Sequence, residues 1–347
     1  MAWLIATIVV GVLALITICV QARMIQTAWR MVEYTPPLNA SDAGADPRAE
    51  SVSFQTSDRL KLNGAIFLPE SETPRGLIVF CHEFGGSRWS ALGYTEALID
   101  AGFAVFSFDF RSHGESDTLK GYEPFHWVTD YEVDDLRSAL SYVASHAELS
   151  QLPIGMFGVS RGGGTALAVA GEDDRVKAIV CESAYSCRKM MYVFSERWHS
   201  LFGPDWLMTN LPHTHATFTL AAARLIASFR RGCRFVHIER VLARLRNRPV
   251  LLISGKRDNY VSPEIAEDIF KGLASEQTSL WLVPKSRHNQ AREIAQQEYD
   301  ERIVALFGQL DGQKTGVATK NAGISESRGD DKNEAQPQFE DESLASR

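Results

Sequence analysis

Ile154-Gly155-Met156-Phe157-Gly158-Val159-Ser160-Arg161-Gly162-Gly163-Gly164-Thr165-Ala166-Leu167-Ala168-Val169-Ala170 is the stretch on which the fold turns. Its first part is a short apolar run with strand character, its last part a small-faced helix, and between them Gly-x-Ser-x-Gly forces a sharp turn. The glycines at 158 and 162 leave room for that turn, which lifts the Ser160 hydroxyl clear of its own backbone. Gly162, Gly163 and Gly164 let the helix lie close to the sheet with its N-terminus toward the serine. There the amide of Arg161 is placed to donate to a developing oxyanion. A serine hydroxyl needs a base, and the base needs an orienting acid. Asp258 follows the β-branched run Val250-Leu251-Leu252-Ile253-Ser254 and precedes a Pro263-initiated helix. His288 follows Ser279-Leu280-Trp281-Leu282-Val283-Pro284 and precedes a helix expected from about Ala291 to Leu310. Nucleophile, acid and base thus come in the order Ser160, Asp258, His288, each after a strand, on an open sheet that binds ligands at the carboxyl ends of its strands.

Outward from these points, apolar strands near 77–82, 103–109, 153–158, 176–181, 249–254 and 279–284 alternate with helical spans, and Val52 to Leu68 holds two extended stretches expected to form a hairpin. The alternation predicts an α/β fold: a mostly parallel twisted sheet with helices on both faces. The strand Leu77-Ile78-Val79-Phe80-Cys81 runs into His82-Glu83-Phe84-Gly85-Gly86. With the elbow and the triad order, this segment resembles the α/β-hydrolase superfamily, in the broad group of serine aminopeptidase-like and monoacylglycerol-lipase-like hydrolases. The resemblance covers roughly residues 50 to 310. It implies that the Phe84 amide is the second oxyanion donor and that Phe108-Asp109-Phe110-Arg111-Ser112-His113-Gly114-Glu115-Ser116 shapes the neighbouring loop, with Asp109 and His113 structural. Two departures stand out: Glu83 and Ser112 replace usual glycines. Glu83 is expected to place a carboxylate near the substrate. His82-Glu83 does not begin a zinc-protease motif, because position 86 is Gly rather than His, and His82 is expected to order the loop.

Residues 185 to about 247 interrupt the alternation and predict a helical cap. The segment is aromatic and Met-rich at first (Met190, Met191, Tyr192, Phe194, Trp198, Phe202, Trp206, Met208), which suits either a hydrophobic acyl substrate or packing on the core. It then becomes basic: positions 221–250 carry eight arginines against the single acid Glu239, either a solvated face or a contact for anionic headgroups. His213-Thr214-His215 has no carboxylate or Cys at ligand spacing and is expected in a surface loop. No metal or cofactor is implied.

Residues 1–22 are free of charged side chains and span about 33 Å as a helix, enough to cross a bilayer core. A single-pass anchor is expected in the cell membrane. Arg23 and Arg30 follow it, putting the catalytic domain on the cytoplasmic side. The rival is a signal peptide cleaved after Ala22, followed by export, against which stands the missing basic n-region. Residues 23–50, rich in Pro, Ala and Asp from Pro36 to Ala49, read as a linker to a hydrolase domain over 51–312. Residues 313–347 read as a disordered acidic tail, with seven acids against three bases between 321 and 347. Five cysteines suggest no disulfide framework, and a net charge of −7 disfavours nucleic acid as a partner. The expected activity is a serine hydrolase cleaving an ester, thioester or amide of a small-molecule or lipid-like acyl compound. Aminopeptidase-like or acyltransferase chemistry on the same residues, with Glu83 pairing a substrate amine, is the alternative. A non-catalytic membrane-anchored binding protein is the reading from another class.

Overall fold

The computed structural model describes residues 1–35, 44–204, 206, 210 and 213–312. Eight strands form one sheet: β1 (Glu50–Gln55), β2 (Lys61–Phe67), β3 (Leu77–Cys81), β4 (Ala104–Phe108), β5 (Ile154–Val159), β6 (Val176–Glu182), β7 (Val250–Gly255) and β8 (Thr278–Val283), in the order β1-β2-β4-β3-β5-β6-β7-β8. β1 and β2 make the expected antiparallel hairpin, β2 pairs antiparallel with β4, and every pair from β4 to β8 is parallel. The central strands β3, β4, β5 and β7 are buried at every position, whereas the edges β1 and β8 are only partly buried. That is why the central runs are continuously apolar: helices, among them α2 (Leu92–Asp100), cover both faces. One face packs Phe106, Leu136, Met156 and Leu167 beneath the cap, and the other packs Phe80, Phe157, Tyr299 and Phe307.

The long N-terminal helix α1 (Ala2–Glu33) does not stop at residue 22. Residues 23–33, expected as the start of a linker, continue it, and Met24, Ala28 and Val32 are its buried positions. That i, i+4, i+8 stripe lies against the cap helix His213–Arg231, with Gln21 Nε2 donating to Thr219 Oγ1 at 3.0 Å and Arg231 gripping Glu33 Oε2 at 2.5 Å. Positions 21 and 33 thus meet 219 and 231, so the two helices run parallel in step. Residues 36–43 of the expected linker and the 313–347 tail lie outside the described residues.

The cap is helical as expected, with α5 (Cys187–Arg197) and His213–Arg231 as its long elements. Met190, Met191 and Phe194 are buried; Met208 is outside the described residues. His215, expected in a loop, lies in the cap helix and contacts Gln21 of α1. Several of the arginines have structural partners. Arg230 lies 4.9 Å over the Trp29 ring, Arg231 also pairs with Glu123 at 2.8 Å, and Arg248 pairs with Asp174. The helix expected from 291 to 310 is broken at Ala295 (φ −142°, ψ 51°) into Ala291–Ile294 and Gln296–Phe307.

Candidate active site

The chain turns from β5 into α4 (Arg161–Ala170) at Ser160, which adopts φ 52° and ψ −115°, a backbone region that non-glycine residues enter only when their surroundings hold them there. The holding contacts are visible. Ser160 N donates to Glu182 O at 2.8 Å, and Ser160 O accepts from Gly163 N at 3.0 Å and Gly164 N at 3.2 Å. A Cβ on Gly158 would lie 2.5 Å from Gly162 O, and one on Gly162 would lie 2.1 Å from Cys81 O. The second of these shows how closely the elbow presses on the end of β3, bringing the Arg161 end of α4 beside the 82–86 loop that carries Phe84.

Ser160 Oγ lies 3.0 Å from His288 Nε2, and His288 Nδ1 lies 2.8 Å from Asp258 Oδ2. Because an ionised carboxylate only accepts, Nδ1 carries the proton and Nε2 is left as the acceptor for the serine hydroxyl. Asp258 is itself fixed: its Oδ1 takes the amides of Tyr260 and Val261, each at 2.8 Å. Ser160 and Asp258 are 2% and 3% exposed, so these bonds lie in a largely dry site. Two residues outside the sequence expectation support the histidine. Gly255 ends β7 where a Cβ would come within 2.4 Å of Ser286 O, letting the His288 loop close on the strand. Glu182, at the end of β6, takes Ala291 N at 3.0 Å and the Tyr299 hydroxyl at 2.7 Å, tying the segment after His288 to the sheet. Burial raises the Glu182 pKa.

Glu83 is folded into its own loop. It is 3% exposed, its Oε1 accepts from Ser90 Oγ at 3.2 Å, and its carboxylate lies against Gly86. The other loop residues follow expectation. His82 Nδ1 meets Glu83 O at 2.7 Å while its Nε2 takes Phe110 N at 3.2 Å, and Asp109 anchors Arg88 and the Glu115 amide. The Arg161 side chain, unremarked in the sequence beyond its amide, is fully buried. It donates to Phe125 O at 3.0 Å and His113 Nε2 at 3.1 Å, and lies 3.5 Å from Glu132 and 5.2 Å over the Phe84 ring. Glu132 also completes the capping box with Thr129 at the start of α3 (Asp130–Ser145), a signal present in the sequence as Thr-x-x-Glu. Desolvation and then the Arg161 charge push both His82 and His126 down to about 3, so both are neutral near pH 7.

A protein-family model described as the alpha/beta hydrolase fold matches residues 76–221. An uncharacterized 31.7 kDa protein of Escherichia coli, from the traX-finO intergenic region, is 34% identical over 120 residues, 34% of this chain and 41% of the relative. The chain therefore spans about two fifths of that relative's length. The uncharacterized protein YfhR of Escherichia coli O157:H7 is 26% identical over 257 residues, 71% of this chain and 75% of the relative. Among solved structures, a Pyrococcus furiosus esterase superposes with a TM-score of 0.58 at 19% identity, covering 80% of this chain and 98% of the esterase. At that identity the likeness speaks for the fold.

Proposed function

This chain is a member of the α/β-hydrolase superfamily, and on that premise we propose that it is a serine hydrolase that cleaves a carboxylic ester, thioester or amide through an acyl-enzyme on Ser160. The observation that carries the reading is the unbroken chain from Ser160 Oγ through the His288 imidazole to Asp258, with the serine held at φ 52°. In it His288 takes the hydroxyl proton as Ser160 attacks the carbonyl, then returns it to the leaving group, while Asp258 stabilises the imidazolium. The Phe84 and Arg161 amides are assigned to the tetrahedral oxyanion. Hydrolysis of the acyl-enzyme repeats the sequence with water in place of the serine. In the aminopeptidase alternative on the same residues, Glu83 would exchange its Ser90 bond for a substrate amine.

The helix Ala2–Glu33 is long and apolar enough to cross a membrane, with a mean hydropathy of 2.8 over its most apolar window. We assign it as a retained anchor with the hydrolase domain on the cytoplasmic side. The alternative of cleavage after Ala22 would cut inside a continuous helix, next to the Gln21 bond to Thr219. Its substrate class is a small or lipid-like acyl compound. Labelling of the detergent-solubilised protein with a fluorophosphonate probe tests the chemistry. Wild type should react, and Ser160→Ala and His288→Ala should lose the label; folded wild type that does not react would count against an activated serine.

A further inference from the structure

His126 is 2% exposed, and neither of its ring nitrogens has a hydrogen-bond partner among the described residues. The Tyr260 hydroxyl is also buried and has no hydrogen-bond partner among the described residues. Orphaned buried polar groups are rare, and each costs about 1–3 kcal/mol unless something else meets it. Two of them in one place, on residues from different parts of the chain, call for a common cause. Their rings lie 6.1 Å apart, edge to face. Around them, the Phe84 ring of the oxyanion loop is 6.4 Å from His126, and the His288 ring is 5.0 Å from Tyr260. The pair therefore spans the ground between the two halves of the proposed site. It is also held in place: the Tyr185 hydroxyl donates to His126 O, the Trp127 ring lies 4.2 Å from His126, and the amide of Tyr260 is bound by Asp258.

We propose that His126 and Tyr260 form a polar subsite that hydrogen-bonds an uncharged hydroxyl on the leaving-group half of the substrate. This rests on the serine hydrolase reading, because it is the leaving oxygen that must come to His288, and Tyr260 packs edge-on against that imidazole. The chemistry of the pair fits an alcohol. A neutral imidazole offers one donor and one acceptor, and a phenol offers a donor and acceptors, so both can meet a hydroxyl. Neither supplies a counter-charge. The nearby cation Arg161 faces Glu132 and disfavours an ammonium, and Glu83 is engaged elsewhere.

The test uses the full-length protein in detergent and an isosteric pair, 2-hydroxyethyl butyrate and propyl butyrate, which differ by a hydroxyl in place of a methyl. Wild type should favour the hydroxyethyl ester in kcat/KM by about tenfold, the equivalent of about 1.4 kcal/mol. In Tyr260→Phe and in His126→Phe the ratio should fall toward one. Because only an unpartnered hydroxyl is removed, Tyr260→Phe should not lower Tm of the ligand-free protein. A wild-type ratio near one, or variants that lose both esters in equal proportion, would overturn the subsite. A clear drop in Tm for Tyr260→Phe would overturn it too, since it would mean that the hydroxyl is already satisfied, for example by a bound water. A preference for a hydroxylated acyl chain instead would overturn its assignment to the leaving group. Fluorophosphonate reactivity separates the two levels: unlabelled wild type removes the serine hydrolase reading, whereas labelled wild type with no ester preference removes only the subsite. Tyr260→Phe keeps the ring that packs on His288, so the test survives if His126→Phe fails to fold.

Discussion

Gly162 is a residue whose missing side chain sets the distance between the nucleophile turn and the oxyanion loop. A Cβ there would meet Cys81 O at 2.1 Å and His82 O at 2.6 Å, both backbone atoms that have no rotamer to yield. Gly162→Ala is expected to destabilise the fold by about 3 kcal/mol, at the upper end of overpacking costs, and to slow fluorophosphonate labelling at least tenfold, read from denaturant unfolding and labelling kinetics. A second residue-scale consequence comes from the neutral histidines around Arg161. His82 and His126, held down to about 3, resist a proton that the unfolded chain accepts near 6.5. Between those values the unfolded state binds more protons, so stability rises with pH; the contribution is full above about 6.5 and is lost as pH falls toward 3. Each such histidine steepens the dependence by about 1.4 kcal/mol per pH unit. Urea unfolding at pH 5, 6 and 7.5 should show the fall, and His126→Phe should make it shallower by about one proton's share. An unchanged slope would mean that His126 titrates normally in the native protein.

The elements show where sequence suffices and where it stops. The fully buried strands β3, β5 and β7 announce themselves because burial on both faces demands unbroken apolar runs, and the elbow announces itself because the turn demands glycine at fixed spacing. Gly255 and Glu182 gave no comparable local signal: their importance lies in what approaches them, Ser286 in one case and the Tyr299 hydroxyl in the other. Glu83 could be placed on its loop but not aimed, since the direction of its side chain depends on Ser90. The end of α1 was legible in principle. Met24, Ala28 and Val32 repeat every four residues, but the change from apolar to mixed composition after Ala22 resembles a boundary, and the partner helix lies almost two hundred positions away. That partner presents Ala223 and Ala227 among its buried residues, so small side chains stand on both sides of the contact. Ala28→Leu should force the helices apart at a cost of about 1–3 kcal/mol, seen as a lower Tm, while a neutral effect would mean that the seam has slack.

At the scale of the molecule, α1 has two unlike halves: none of the helix's most apolar window is buried among the described residues, and the segment after Gln21 is part of the domain. The second half also reaches the chemistry. Trp127 Nε1 donates to Val32 O at 2.9 Å, and ring contacts run on from Trp127 to Phe194 at 6.3 Å, to Tyr260 at 5.8 Å and to His288 at 5.0 Å. An anchor that merely tethers could be removed at any point in the linker without consequence, whereas one built into the cap cannot. Two truncations distinguish these cases. Removing residues 2–20 should release a soluble protein that labels with fluorophosphonate within about twofold of wild type. Removing residues 2–34 takes away the burial of Met24, Ala28 and Val32, worth about 3–6 kcal/mol, and leaves the buried Trp127 indole without its acceptor. That protein should show a markedly lower Tm and weaker labelling. If both truncations unfold at the same temperature and label alike, the packing of α1 on the cap contributes nothing, and the helix is a tether alone.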